Sequence, residues 1–228
     1  MGTDYNPRIV TNGLVLCLDA GNVKSYPGTG TIWSDLSGQG NHGTMTACTY
    51  ASTLGGSIVF NGTTSKVATS PGANFAYGTG DYAMEFWFRD TSTPATAFAN
   101  LWTQTIAGEN YFVIGVGANK ITFWPVHSAP LSTLTTSTYV SNAWTHLVVT
   151  RVASTAYIYL NGVADATATK ANTVNSTNTT YVPTIGQYSH YGYVFTGDIP
   201  IVRIYKGYGF TQSIVTQNFN ASRKRFGL

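Results

Sequence analysis

Carboxylates are the first residues to weigh, because only 9% of this chain is charged. Hydrolysis of a glycosidic bond with retention needs two carboxyl groups about 5–5.5 Å apart. The two glutamates are Glu85 and Glu109, far apart in sequence. In Met84-Glu85-Phe86-Trp87-Phe88 no second carboxylate stands at i+2 or i+4. Asp81, four residues back along a strand, would lie about 13 Å from Glu85. No GxSxG elbow, phosphate-cradling glycine loop or HExxH motif is present. The expectation is a protein without catalysis. The four histidines, His42, His127, His146 and His190, share no metal-ligand spacing.

Two stretches have the chemistry of recognition. Sugar sites need flat aromatic faces for C–H surfaces and amides or hydroxyls for the sugar hydroxyls. Gln187-Tyr188-Ser189-His190-Tyr191-Gly192-Tyr193 concentrates these groups between strands. Tyr188, His190, Tyr191 and Tyr193 are therefore glycan-contact candidates, with Trp102 and Trp124 as further aromatic faces. The competing reading is that these tyrosines cover a sheet edge or an oligomer contact. The second stretch is the tail Arg223-Lys224-Arg225-Phe226. It reads either as a solvated terminus or as a dock for an acidic neighbouring subunit, anchored by Phe226 and Leu228.

The elements that must position these residues centre on WTHLVVTRVASTAYIYLNGV, residues 144 to 163. Its first eight residues are too short and too β-branched for a helix. Ala153-Ser154-Thr155 predicts a turn, and AYIYL alternates Tyr157 and Tyr159 against Ala156, Ile158 and Leu160. Asn161-Gly162 predicts a tight hairpin. Leu14, Leu16 and Leu18 are expected on one face of a first strand. DYAMEFWFR at 81–89 alternates Met84, Phe86 and Phe88 against Ala83, Glu85 and Trp87, as in a strand covered on both faces. Trp87 and Trp144 are expected in the core. Further hairpins are expected at Asn61-Gly62 and Ala118-Asn119. Trp33 and Leu36 are expected to pin the turn-rich stretch that follows the first strand. Thr211 is placed as the N-cap of a short helix, with Phe210 packing on Val215 as a hydrophobic staple.

These stretches carry a resemblance. WTHLVVTR with YIYLNGV is similar to the centre of the laminin-G / concanavalin A-like lectin jelly roll. Phe60-Asn61-Gly62, DYAMEFWFR, and IGQY leading to GDIPIVRIYKG agree in order. The resemblance implies an all-β antiparallel two-sheet jelly-roll sandwich over residues 14–220. Residues 1–13 become an irregular lead-in and 221–228 a basic tail. Glucanases of this superfamily carry Glu-x-Asp-x-x-Glu on one strand, a pattern that the strand around Glu85 lacks. Many laminin-G-like domains hold one Ca²⁺ with carboxylates and carbonyls. Asp19, Asp35, Asp81 and Asp198 lie at strand ends, where they would ligate the ion or cap turns. No metal ligands are assigned.

The opening segment LVLCLDAGNVKSYPGTGTIWSDLSGQGNHGT resembles that of laminin-G-like domains in tailed-phage structural proteins. It implies a virion component (capsid decoration, head fibre or tail-associated protein) whose partners are other virion proteins and a host surface polysaccharide. The alternative is a free bacterial carbohydrate-binding lectin, and a glycoside hydrolase stands third. Composition agrees with a binding surface: 14% aromatic residues, 15 tyrosines and a net charge of only +3. That charge does not suit a nucleic-acid binder. The N-terminus lacks a basic start and an apolar run, so no signal peptide is expected, and no stretch is long enough for a membrane span. A virion protein made in the host cytoplasm and released by lysis meets both conditions. A homo-oligomer or a place in a larger shell is expected. Cys17 and Cys48 read as small core residues on separate strands, with a disulfide as the alternative.

Overall fold

The computed structural model describes residues 7–92, 99–104, 112–124, 133–134, 137–153, 155–168, 180–188 and 192–228. The first strands are β1 Leu14–Asp19, β2 Ile32–Trp33, β3 Gly43–Thr46, β4 Thr49–Ala51, β5 Ser57–Asn61 and β6 Lys66–Thr69. The middle of the chain gives β7 Tyr82–Asp90, β8 Ala99–Gln104, β9 Phe112–Gly117, β10 Lys120–Trp124, β11 Thr133–Leu134 and β12 Thr145–Val152. The last are β13 Thr155–Leu160, β14 Val163–Ala168, β15 Pro183–Ile185, β16 Gln187–Tyr188, β17 Tyr193–Val194 and β18 Thr196–Lys206, before helix α1, Gln212–Ser222. Among the described residues no helix is long and apolar enough to cross a membrane.

Two antiparallel sheets make a sandwich. The first runs β14-β13-β12-β7-β18-β5-β4, and the second runs β11-β10-β9-β8-β15-β6-β3-β2. Strand β18 is eleven residues long. Its first half pairs with β5 and its second half with β1, so β1 and β5 share one edge of it end to end. Strands β16 and β17 form a separate ribbon.

Alternation decides the inner faces. From β7, Tyr82, Met84, Phe86 and Phe88 enter the core, where they meet Leu147 and Val149 of β12 and Trp102, Ile114 and Phe123 of the second sheet. The expected turns form at Ala118-Asn119 and Asn161-Gly162, all four residues having positive φ, which suits the twist of a two-residue hairpin.

Several expectations are corrected. The corner Asn61-Gly62 joins strands of opposite sheets, because β5 pairs with β18 and β6 pairs with β3 and β15. The Asn61 carboxamide oxygen accepts the backbone N–H groups of Thr63, Thr64 and Ser65, which turns the chain from one sheet into the other. Leu14 leaves the face of Leu16 and Leu18, since the register shifts between Leu14 and Leu16. Trp33 is fully buried and pins its stretch together with Asp35, whose carboxylate accepts the N–H groups of Cys17, Ser37 and Asn41. The Leu36 side chain stays exposed, and the residue pins the stretch only through its backbone N–H, donated to the Cys17 carbonyl at 2.8 Å. Both cysteines are free: Cys17 sits on the outer face of the first sheet opposite Arg203, and Cys48 lies in the turn between β3 and β4.

Candidate functional site

The outer face of the first sheet holds the densest polar constellation of the described residues. Strand register builds it. Val148, Glu85, Arg203 and Cys17 stand in one row across β12, β7, β18 and β1, and His146, Trp87, Ile201 and Asp19 stand in the next. Glu85 and Arg203 are thus direct cross-strand partners, and His146 is one diagonal step away. Helix α1 covers them with a stripe of Val215, Asn218 and Ser222, spaced to share one helix face. Thr211 occupies the N-cap position with extended backbone, but its hydroxyl meets Ser213 and caps no N–H. Phe210 and Val215 share one buried cluster, as the staple requires.

Glu85 is 0% exposed and fully partnered. Its Oε1 accepts from Arg203 Nη1 at 2.7 Å and faces His146 Nε2 at 3.1 Å; its Oε2 accepts from Asn218 Nδ2 at 2.7 Å. Asn218 also donates to Tyr205 Oη at 3.2 Å, and its carboxamide oxygen accepts the Val10 N–H at 3.0 Å. Burial by itself would raise the Glu85 carboxyl; the Arg203 guanidinium, His146 and Asn218 outweigh it and hold the group at about 2. A carboxylate so enclosed cannot donate a proton near neutral pH, and no substrate reaches it. Its work is to bind β7, β12, β18 and α1 together.

An aromatic stack lies beside this cluster. Phe219 stacks on Trp87 at 5.7 Å, and Phe226 stacks on the same ring at 4.2 Å. Trp144 meets Phe226 at 5.0 Å and carries the Arg89 guanidinium over its ring at 5.1 Å. Trp87 is therefore buried between the sheet and the C-terminal segment, outside the inter-sheet core, and Trp144 is half-buried beside it.

The candidate residues fare unequally. Trp102 is fully buried in the core against Phe75, which removes it from any surface. Tyr188 and Tyr193 are cross-strand partners in the ribbon β16-β17, their rings 6.4 Å apart and 13° from parallel. Tyr188 is buried and Tyr193 is 40% exposed. His190 and Tyr191 lie outside the described residues, as do Glu109 and His127. Trp124, half-buried, stands level with Val113, Thr103 and Thr184 on the second sheet. The tyrosine ribbon follows Ile185 toward the opposite end of those strands, so the two are not brought together.

The tail is taken up within the chain. Phe226 is buried in the aromatic stack, and Arg225 bonds Asp19 Oδ1 at 2.6 Å and the carbonyls of Leu54 and Gly56. Only Arg223 and Lys224 of the four tail candidates point to solvent. The strand-end aspartates do not converge on a metal. Asp19 and Asp198 are ion-paired with Arg225 and Arg89, Asp35 caps its loop, and Asp81 accepts the Ala153 N–H. Among the described residues no three His, Cys, Asp or Glu side chains could hold an ion.

Sequence reasoning named Glu85 but missed its partners. A usable signal was Arg203 itself, a charge inside the apolar run IPIVRIY, because a buried charge requires an opposite one. Asn218 carried no comparable signal.

Two stacked antiparallel sheets and a short terminal helix agree with a known family. The model for the concanavalin A-like lectin/glucanases superfamily (laminin G type) matches residues 61–213, more than half of the chain. The chain belongs to this superfamily. No curated protein sequence matches it. Among solved structures, it is similar to domain 4 of AbnA, an extracellular arabinanase from Geobacillus stearothermophilus solved with arabinotriose. That match has TM-score 0.67 and 20% identity, covering 91% of this chain and 98% of that domain. It is also similar to the binding domain of botulinum neurotoxin DC solved with rat synaptotagmin II, with TM-score 0.73, 14% identity and 93% and 52% of the two chains covered. A third similar structure is Trypanosoma rangeli sialidase, with TM-score 0.67, 16% identity and 92% and 33% covered. The chain thus spans about half of the toxin binding domain and a third of the sialidase. These likenesses establish a lectin-like fold that catalytic and non-catalytic proteins share.

Proposed function

We propose that this concanavalin A-like domain is a non-catalytic glycan-binding module displayed on a phage virion. The observation that carries the reading is Glu85. The one glutamate among the described residues is sealed beneath α1 and ion-paired with Arg203, whereas a general acid needs access and a pKa near the working pH. Binding chemistry, by contrast, reaches the surface. Tyr193 presents an exposed ring backed by the parallel ring of Tyr188, a platform of the kind that sugar C–H faces stack on. The solution of one similar domain with arabinotriose supports a saccharide ligand. The resemblance of residues 14–44 to phage structural proteins supports the virion setting.

The test is binding of the purified chain to a panel of bacterial surface polysaccharides, with and without a calcium chelator. Saturable binding is expected, lost in Tyr193→Ala while the unfolding midpoint stays unchanged. Absence of binding across the panel would overturn the glycan reading, and sensitivity to the chelator would reveal a metal requirement.

A further inference from the structure

The sheet-and-helix face just described continues into a cleft of about 510 Å³ between the N-terminal lead-in, the end of β1, β18 and the C-terminal segment. This volume lies within the range of small-molecule sites, roughly 300–1,000 Å³. Its charge is one-sided. Arg8, Arg203, Lys224 and Arg225 line it against one carboxylate, Asp19. Arg225 spends its donors on Asp19, Leu54 and Gly56, and Arg203 Nη1 is matched by Glu85 behind the cleft wall. Arg8 and Lys224 have no carboxylate partner among the described residues. Two uncompensated cations therefore remain at the rim.

The wall also carries a weakly engaged guanidinium edge. Arg203 is 4% exposed, and its Nε–H lies beneath the cleft wall, across the ladder from the Cys17 thiol. Its Nη2 meets only Ser222 Oγ, at a long 3.4 Å. Arg203 and Ser222 both line the cleft, and an oxyanion there is a stronger acceptor for Nη2 than a hydroxyl at that distance. A guanidinium fork suits the two oxygens of a carboxylate. Half-buried Ile9 adds apolar lining to the same space, as the C–H face of a sugar ring requires.

We propose that this cleft binds an acidic sugar residue, its carboxylate held by Arg8 and Lys224 with the Nη2 edge of Arg203 and its ring against Ile9. The inference rests on the glycan-binding reading and adds its ligand class and a second site, separate from the tyrosine ribbon.

Calorimetric titration of the full chain with tetragalacturonic acid, with its fully methyl-esterified form and with inorganic phosphate tests it. The acid is expected to bind at least tenfold more tightly than the ester or phosphate, and more weakly as salt rises. The double variant R8Q/K224Q, both exposed positions, should lose at least tenfold in affinity for the acid with an unchanged unfolding midpoint. Equal binding of acid and ester, phosphate binding as tightly as the saccharide, or full affinity in R8Q/K224Q would each overturn the proposal. Should the glycan reading itself be wrong, neither the acid nor any polysaccharide of the panel binds. Should only the cleft be wrong, panel binding sensitive to Tyr193→Ala survives.

Discussion

Phe226, two residues before Leu228, lies over the ring of Trp87 in the middle of β7, centroids 4.2 Å apart and planes 22° from parallel. The contact closes the outer face of the first sheet with the last residues of the chain. Trp87 there meets His146 and Phe219 as well, so one ring joins a strand, its neighbour, the helix and the tail. Phe226→Ala removes a buried aromatic side chain from this stack. A loss of about 3–4 kcal/mol is expected, read as a lower midpoint in denaturant unfolding. A loss within experimental error would show the tail to be dispensable.

Glu85→Gln leaves Arg203 buried without its counter-charge. The expected loss is about 3–5 kcal/mol, the range for breaking a buried ion pair from one side. Replacing Asn218 by Ala should cost less, since Arg203 and His146 still face the carboxylate.

The pH dependence follows from the same group. The folded Glu85 carboxyl sits at about 2, below its ordinary 4.5. The unfolded chain therefore binds the proton first as pH falls. The contribution of this carboxylate to stability is full above pH 4.5 and drains away between about 4.5 and about 2. Unfolding free energies measured across that window should slope downward toward acid in the wild type, and less so in Glu85→Gln. Equal slopes in the two proteins would remove Glu85 as the cause.

Two glycines with positive φ separate steric from conformational demands. A Cβ on Gly186 would overlap the ring of Phe60, whereas one on Gly30 would meet nothing. Both substitutions to Ala carry the strain of a left-handed backbone, of order 1 kcal/mol. Gly186→Ala must in addition displace a core ring. Its unfolding midpoint should fall well below that of Gly30→Ala, and equal effects would show that Phe60 can give way.

The ion pair Arg225–Asp19 is partly exposed, at 21% and 23% of the two side chains. Arg225→Met loses this pair together with the bonds to the Leu54 and Gly56 carbonyls and should cost about 1–3 kcal/mol. High salt should narrow its difference from the wild type, as screening weakens the pair that the variant lacks.

Much of this architecture was legible in the sequence, and for physical reasons. A side-chain period of two is a local property of an extended backbone, so Met84, Phe86 and Phe88 announced an inward face before any partner strand was known. The left-handed turns at Asn119 and Asn161-Gly162 are likewise set by residues that tolerate positive φ. What the local pattern could not express is which strand lies beside which. Whether Asn61-Gly62 closes a hairpin or crosses between sheets depends on pairing with β18 and β15, more than a hundred residues away. The same holds for the site. Glu85 looked like a lone carboxylate on a strand, and Phe226 like one anchor of a free tail. Only the register of β7 against β18, and the seating of α1 across them, turned the first into an ion cluster and the second into the lid on Trp87. Burial and charge pairing act across space, and the chain order does not record them.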